Sequence, residues 1–306
     1  MALQILLNAL ALGAAYALLA FGFVLIVNAT SAVNFAQGDM VMAGGYVAIA
    51  VASIAPMPGI ALLPFVLVAM IVVGLLSSLV AYFPLKSRPP VSVFVSTIAL
   101  GIILQNTVNV LAGAAPRAAP ALFGDGQLAM GGASIAIQSI AVIGVAALLI
   151  AGQWWLFART AIGRALRATA QDRVMAEALG IRANRMIALT FGLAAALSGA
   201  AGLLLANTFF VSPSDGTNYI IKAYISVTIG GWGSLTGAAL GALLVALFEV
   251  AYPQIPILIG LTESSTAVTQ VVFSQTTGTI LLYVAVLIIL FVRPQGIFGE
   301  LAQRRA

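Results

Sequence analysis

The chain has few side chains that could carry out chemistry, and several of the usual ones are missing. Its 306 residues include no histidine and no cysteine, and only 8 are aspartate or glutamate. This excludes disulfides, thiol nucleophiles, Cys or His metal sites and a Ser-His-Asp triad. The sequence also has no Gly-x-x-x-x-Gly-Lys-Ser/Thr phosphate loop, the usual cradle for ATP hydrolysis. We therefore expect no enzyme activity, and no catalytic, cofactor-binding or metal-binding residue.

The composition predicts that the elements positioning the remaining polar residues lie in a membrane. Hydrophobic residues make up 62% of the chain and charged residues 7%, and the mean hydropathy is +1.14. A soluble domain has about a quarter charged residues, and about twenty apolar residues span a bilayer. We expect an all-α polytopic membrane protein with one transmembrane domain, 1–306, and a retained first helix. The predicted segments are roughly 4–27, 38–55, 60–83, 91–113, 135–157, 186–207, 220–251 and 276–292.

Basic residues indicate which loops face the cytoplasm. The segment 159–185 holds Arg159, Arg164, Arg167, Arg173, Arg182 and Arg185 against only two acidic residues. Cytoplasmic loops of membrane proteins are enriched in Lys and Arg, so we expect this segment to be cytoplasmic. Arg293, Arg304 and Arg305 predict the same side for the C-terminus. The net charge of +5 then reports topology, and we expect a lipid bilayer as a partner and no nucleic acid.

The segment 159–185 and the C-terminus can lie on the same side of the membrane only if one of the last three predicted segments crosses the membrane an even number of times, or not at all. The segment 220–251 is interrupted by glycines at 230–237, which predicts a broken or re-entrant helix there. A second interruption, 28–39, lies in the first half. Each interruption leads into a helix rich in small residues, so we hypothesise an internal repeat with a transport path at its interface.

The cytoplasmic segment also carries a helical pattern. Asp172 is placed to cap a short helix that Gly180 would end, and Arg173 and Glu177 are four residues apart on its outer face. Two interpretations follow. The helix lies on anionic lipid as a basic amphipathic helix, or it docks in a groove of a soluble partner.

Four stretches, in the same order along nearly the whole chain, resemble the Liv-type permeases of bacterial branched-chain amino-acid ABC importers. They are Val33-Asn34-Phe35-Ala36-Gln37-Gly38-Asp39-Met40; 163–181 with Arg182, Arg185 and the helix 187–199; Gly230-Gly231-Trp232-Gly233-Ser234 with Gly237 and Gly241; and Arg293-Pro294-Gln295-Gly296-Ile297-Phe298-Gly299. Members of this family often have His where this chain has Gln37. Because Gln cannot gain a proton near neutral pH, a proton switch is disfavoured at that position.

The resemblance implies a permease subunit of a binding-protein-dependent importer in the bacterial inner membrane, for branched-chain or related amino acids. It implies four partner subunits of three kinds: a second homologous permease, two cytoplasmic ATPases that use ATP, and a periplasmic substrate-binding protein. The periplasmic protein would dock on the outward loops. The expected ATPase contacts are Arg164, Arg173, Glu177, Ala178 and Gly180.

Polar residues near the first interruption have two interpretations. Asn34 and Gln37 are costly in an apolar region unless hydrogen-bonded, so they satisfy backbone groups freed by the break, or they line the translocation path. The candidate path residues are Asn34, Phe35, Gln37, Gly38 and Trp232, and the candidate helix-packing residues are Gly44, Gly45, Gly237 and Gly241.

Isolated charges support an alternative function. Asp39 and Glu249 could couple ions in a self-contained secondary transporter or channel for a small organic solute such as urea or amides. Because both lie near predicted segment ends, we expect them to face water, and Lys222 to snorkel to the interface.

Overall fold

The computed structural model describes residues 2–124, 126–130, 133–258, 267–293 and 295–296, and most of them are helical. The helices are α1 (Ala2–Thr30), α2 (Gln37–Ile54), α3 (Gly59–Ser77), α4 (Pro90–Ala112), α5 (Ile137–Arg159), α6 (Ala161–Gln171), α7 (Arg173–Ala178), α8 (Ala183–Thr208), α9 (Gly216–Gly230), α10 (Leu235–Ala251), α11 (Ile255–Leu258), α12 (Ala267–Val272) and α13 (Gln275–Val292). A small exception to the all-α prediction is an antiparallel hairpin of β1 (Gln127–Met130) and β2 (Ala133–Ala136).

Eight helices among the described residues are long and apolar enough to cross a membrane, which confirms the polytopic fold. They are α1, α2, α3 with the turns that follow it, α4, α5, α8, α10 with the turns that follow it, and α13. Helix α9 has 15 residues, so it is about 22 Å long, shorter than the hydrocarbon core of about 30 Å.

Helices α1 and α8 form the centre of the bundle. The most apolar window of each is 83% buried, whereas the corresponding windows of α4, α5 and α13 are 17% buried. Helix α1 is apolar on every side, the pattern of a helix surrounded by others. Small residues of α8, such as Gly199 and Gly202, let α2 and α3 approach its backbone closely.

The bundle has two ends, each identified by its connections. At the hairpin end, the segment 113–136 is tied to the chain after α8 by backbone hydrogen bonds between Arg117 and Val211. At the opposite end, which we call the coupling end, α6 and α7 connect α5 to α8. Asn28 and Gly233 also meet at the coupling end, where the Asn28 side chain donates a hydrogen bond to the Gly233 carbonyl at 3.1 Å.

Both predicted interruptions are breaks between helices. Helix α1 ends at Thr30, Ser31 takes a left-handed backbone (φ +53°), and α2 starts at Gln37. In the second half, Gly231 and Gly233 have φ of +118° and +82°, values that L side chains disfavour. The Ser234 side chain then caps α10 by accepting a hydrogen bond from the Gly237 backbone at 3.0 Å.

The second break turns the chain back on itself. Ser226 packs against Gly241 and Gly230 against Gly237, so α9 and α10 form an antiparallel pair. The segment 220–251 therefore passes through the bundle twice, which confirms the predicted broken helix. With this extra passage, the segment 159–185 and the C-terminal region can lie on the same side of the membrane. The first break is different, because α1 and α2 share few contacts. The hypothesised repeat stays a prediction.

The end of the described chain returns to the coupling end. Gly296 lies against Gly231 and Thr228, next to the break that meets Asn28. The predicted side for the C-terminus rests partly on Arg304 and Arg305, and the family resemblance on Pro294 and 297–299. These residues lie outside the described part of the chain.

Candidate functional site

The segment between α5 and α8 folds as two short capped helices. The Thr160 hydroxyl accepts a hydrogen bond from the Gly163 backbone at 2.9 Å and caps α6, and the Asp172 carboxylate accepts one from the Met175 backbone at 3.0 Å and caps α7. Gly180 ends this unit with φ +83°. The cap and the glycine stop are both as the sequence predicts, because these residue types satisfy the backbone groups at helix ends.

Several contacts hold α7 against the bundle. Ala176 is buried, and the Ile181 backbone donates a hydrogen bond to its carbonyl at 3.0 Å. Arg173 pairs with Glu177 at 3.3 Å, as predicted, and also donates a hydrogen bond to Asn184 in α8 at 2.8 Å. The Arg173 side chain thus links α7 to the start of α8.

Helix α6 is amphipathic and turns its apolar face inward. Gly163, Leu166 and Thr169 are buried, and Gly163 lies against the backbone at the end of α5. An amphipathic helix on lipid would direct its apolar face away from its own bundle. The lipid-surface interpretation therefore does not fit α6, and for α7, the helix for which it was made, both interpretations stay open.

Helix α7 and its end expose apolar side chains that the sequence reasoning did not select. Val174, Met175 and Leu179 are 77%, 64% and 80% exposed. We call these three residues the coupling face. The signal was present in the sequence as apolar residues at helical spacing, but that pattern does not distinguish a face packed on its own chain from one left for a partner.

Four of the five predicted coupling residues lie on the same helix as this face or at its end. Glu177, Ala178 and Gly180 are exposed on α7 and its end, and Arg173 is half-buried. Arg164 is exposed on α6, one helix away. Nothing lies within 4 Å of the position that a Gly180 side chain would take, so this surface is open.

Among the predicted path residues, Asn34 and Gln37 are buried and bonded to each other at 3.3 Å. The Asn34 oxygen accepts the Ala36 backbone N–H at 3.1 Å, within the break. The Gln37 amide donates to the carbonyl of Ala194 at 3.0 Å and to the hydroxyl of Ser198. These bonds fit the interpretation that the two residues satisfy the broken backbone, and Gln37 also joins α2 to α8.

The other predicted path residues lie in or next to the two breaks between helices. Phe35 contacts Phe94 edge to face, with ring centroids 4.6 Å apart. Trp232 belongs to the second break, and its ring packs on Tyr224 and Phe23 at 5.4 and 6.0 Å. Gly38 lies against the backbone of α9. Four of the five predicted path residues thus lie in or next to the first break, and Trp232 lies in the second.

The four predicted packing glycines sit at close helix contacts. Gly44 lies against the Gly199 backbone, and Gly45 lies near Ala206. Gly237 and Gly241 lie against α9 at Gly230 and Ser226. A Cβ at Gly44, Gly237 or Gly241 would clash with backbone atoms.

The expectation that the two isolated acids face water is wrong for Asp39, whereas Glu249 lines a cavity. Asp39 is 5% exposed, and its carboxylate accepts a hydrogen bond from Gln105 at 2.7 Å. Glu249 pairs with Lys222 at 2.6 Å, and both side chains are largely covered, 16% and 23% exposed. Lys222 therefore does not snorkel, because the α9–α10 turn brings it opposite Glu249 inside the bundle.

The ion pair forms the floor of a cavity that sequence reasoning missed. Tyr16 donates a hydrogen bond to Glu249 at 3.0 Å and accepts one from Lys222 at 2.7 Å. Above the pair lies a cavity of about 260 Å³, adjoined by a larger one of about 710 Å³ that reaches Asn8, Gln127 and Ser139 at the hairpin end. The described residues contain no cluster of acids suited to a metal ion.

Known proteins are similar to this chain over almost its whole length. The sequence profile of the family described as "Branched-chain amino acid transport system / permease component" matches residues 5–290. The high-affinity branched-chain amino acid transport system permease protein BraD of Pseudomonas aeruginosa is 31% identical, covering 97% of this chain and 96% of BraD. LivH of Escherichia coli K12, with the same description, is 32% identical over 97% of this chain and 96% of LivH.

A solved structure, PsaBC from Streptococcus pneumoniae in complex with Fab, contains a chain that aligns with this one over 94% of this chain and 91% of the PsaBC chain. Its sequence identity is 16% and its TM-score is 0.48.

Proposed function

The chain belongs to the permease-component family of branched-chain amino acid transport systems, and on this basis we propose that it is the membrane subunit of a binding-protein-dependent ABC importer. Its substrates are branched-chain or related amino acids. The single observation that carries the proposal is the match over nearly the full length to BraD and LivH, whose names state this transport role.

The coupling end supports a role in receiving work from a partner. The coupling face exposes three apolar side chains on α7 and its end, and α7 and its neighbour α6 are both capped. Exposed apolar clusters with a charged rim are typical of protein interfaces. We propose that a cytoplasmic ATPase subunit covers this face, with Arg164, Arg173, Glu177, Ala178 and Gly180 at its rim.

The fold provides a path for movement from this face to the bundle centre. Arg173 bonds to Asn184, and α8 runs from there through the middle of the bundle against α1, α2 and α3. Closure of the ATPases on ATP would shift α7 and tilt α8 as a rigid element. Because Gln37 is bonded to α8, the movement would reach the first break, where Asn34, Phe35 and Gly38 lie. With Trp232, these residues line the path in the open state.

The remaining parts of the transporter follow from the same proposal. A second homologous permease pairs with this chain, two ATPase subunits bind and hydrolyse ATP, and a periplasmic binding protein docks at the hairpin end. This chain binds no cofactor of its own. The protein lies in the bacterial inner membrane, with the 159–185 segment and the C-terminus in the cytoplasm.

Co-purification from membranes in mild detergent tests this proposal. The tagged chain should bring down nucleotide-binding subunits, and identification of the ligand carried by its binding protein should give a branched-chain or related amino acid. A chain that purifies alone and moves solute without ATP would instead be a self-contained transporter or channel.

A further inference from the structure

The ion pair between Lys222 of α9 and Glu249 of α10 is unusual because it lies between two helices of the bundle, where both side chains are largely covered. Among the described residues there are two ion pairs, and the other, Arg173–Glu177, lies on the surface. Removing two charges from water costs several kcal/mol per ion in real proteins, which attraction between them repays only with excellent geometry. An ionisable residue inside a membrane protein is therefore a candidate functional group.

The two charged groups keep bonding capacity that their partners do not use. A Lys ammonium has three donors and a carboxylate accepts about four hydrogen bonds. Lys222 donates to Glu249 and to Tyr16, and Glu249 accepts from Lys222 and from Tyr16. Each group thus has donors or acceptors left for a ligand in the cavity above it.

The cavity above the pair has a polar side and an apolar side. Tyr16, Asn218, Tyr219 and Gln275 line it together with the charged pair, and Leu12, Leu205 and Phe209 form the apolar side. Asp215 also lines it, and its carboxylate accepts a hydrogen bond from the Ser212 backbone at 2.7 Å. Small-molecule sites combine apolar walls with a few convergent polar groups in volumes of about 300–1,000 Å³, and the adjoining cavities of about 260 and 710 Å³ are of this order.

We propose that Lys222, Glu249 and Tyr16 form a binding site for the zwitterionic head of an α-amino acid that enters from the hairpin end. Lys222 takes the carboxylate, Glu249 takes the ammonium, and the apolar side receives the side chain. This inference rests on the proposed function for its choice of substrate class.

The charges explain why a zwitterion is preferred. A ligand with both charges replaces one internal ion pair by two, so no charge is left unpaired. An anion or a cation that replaces the internal pair binds one residue and leaves the other charge, which is largely covered, without an ionic partner, which is costly. A neutral amide gains neither ion pair.

Binding of labelled L-leucine to the solubilised transporter, without its binding protein, tests the site directly. Unlabelled leucine should compete, whereas leucinamide and 4-methylpentanoate, which each lack one charge, should compete at least about tenfold less well, the loss expected for one charge-assisted hydrogen bond. Equal competition by the three compounds, or no binding of leucine, would overturn the proposal.

Variants separate this role from a purely structural one. Glu249→Gln leaves Lys222 unpaired, but the double variant Lys222→Met with Glu249→Leu replaces the pair by apolar groups, a change that folded proteins tolerate. Thr228→Val is the matched control, because Thr228 is buried in the same helix with a hydroxyl that has no partner. Leucine binding should fall at least about tenfold in both pair variants and stay unchanged in the control.

Binding at the wild-type level by a folded double variant would mean that the pair only holds α9 to α10, and would overturn the site. ATP-driven leucine uptake by the complete wild-type transporter is measured in parallel. Its absence would count against the proposed function, whereas the binding result decides the site by itself.

Discussion

At the scale of single residues, the centre of the bundle depends on glycines whose missing Cβ lets two backbones meet. Gly44 of α2 lies against Gly199 of α8, and Gly202 lies against Val41. In an apolar solvent, helix association relies on such close packing because there is no hydrophobic force between helices. A single methyl group added at one of these glycines should therefore lower the stability of the bundle markedly.

We expect Gly44→Ala to lower the free energy of unfolding by about 1–3 kcal/mol, the usual cost of overpacking. The added Cβ would meet the backbone of Gly199, which cannot rotate away. Gly144→Ala in α5 is the control, since nothing lies within 4 Å of its Cβ position and alanine favours a helix. Reversible unfolding in detergent measures both, and equal effects would contradict the packing account.

A second residue-scale prediction concerns Gln37, whose side chain joins Asn34, Ala194 and Ser198. Gln37→Leu removes these bonds and should lower the free energy of unfolding by about 1–3 kcal/mol. Gln270→Leu, at an exposed position of α12, should change it little. We also expect uptake per folded transporter to fall in Gln37→Leu. Normal uptake by the folded variant would leave Gln37 with a structural role only.

At the scale of elements, the structure separates what the sequence could predict from what it could not. Local signals were sufficient for the caps at Asp172 and Gly180 and for the break at Gly231 and Gly233, because each depends on neighbours within a few residues. The pairing of Lys222 with Glu249 depends on how the α9–α10 turn sets the register of two helices. The bond between Asp39 and Gln105 joins α2 to α4. Neither is visible in residue spacing.

The coupling face gives the prediction that belongs to this scale. Val174→Asp with Leu179→Asp should leave the protein folded, because both side chains are exposed, and should reduce ATPase recovery in co-purification by at least about tenfold, as for loss of apolar anchors at an interface. Val174→Leu with Leu179→Met is the matched control and should retain the ATPase. Normal recovery with both aspartates present would show that the ATPase binds elsewhere.

At the scale of the whole molecule, the fold predicts the sides of the membrane. The α9–α10 pair returns the chain so that Gly296 lies next to the break at the coupling end. The 159–185 segment and the C-terminal region should therefore share one side, and the hairpin end should lie on the other. The excess of basic residues in the 159–185 segment predicts that this shared side is the cytoplasmic one.

Labelling of single cysteines tests this topology cleanly, because the natural sequence contains no cysteine. Phe123→Cys at the hairpin end should react with an impermeant maleimide once the outer membrane is permeable. Met175→Cys and Gln295→Cys should react only after the inner membrane is opened. All three positions are exposed. Reaction of Gln295→Cys together with Phe123→Cys would contradict the double passage of α9 and α10.

The most direct test of the account is leucine uptake into vesicles that contain the complete transporter, with ATP supplied on the ATPase side. The wild type should accumulate leucine only with ATP. Glu177→Arg, at an exposed position, should insert normally and lose ATP-driven uptake. Gly180→Trp has open space around it but a backbone φ of +83° that disfavours a side chain, so its uptake is compared per folded protein, and it should be lost as well. Accumulation without ATP, or unchanged uptake by both variants, would contradict the claim that this chain is driven through its coupling end.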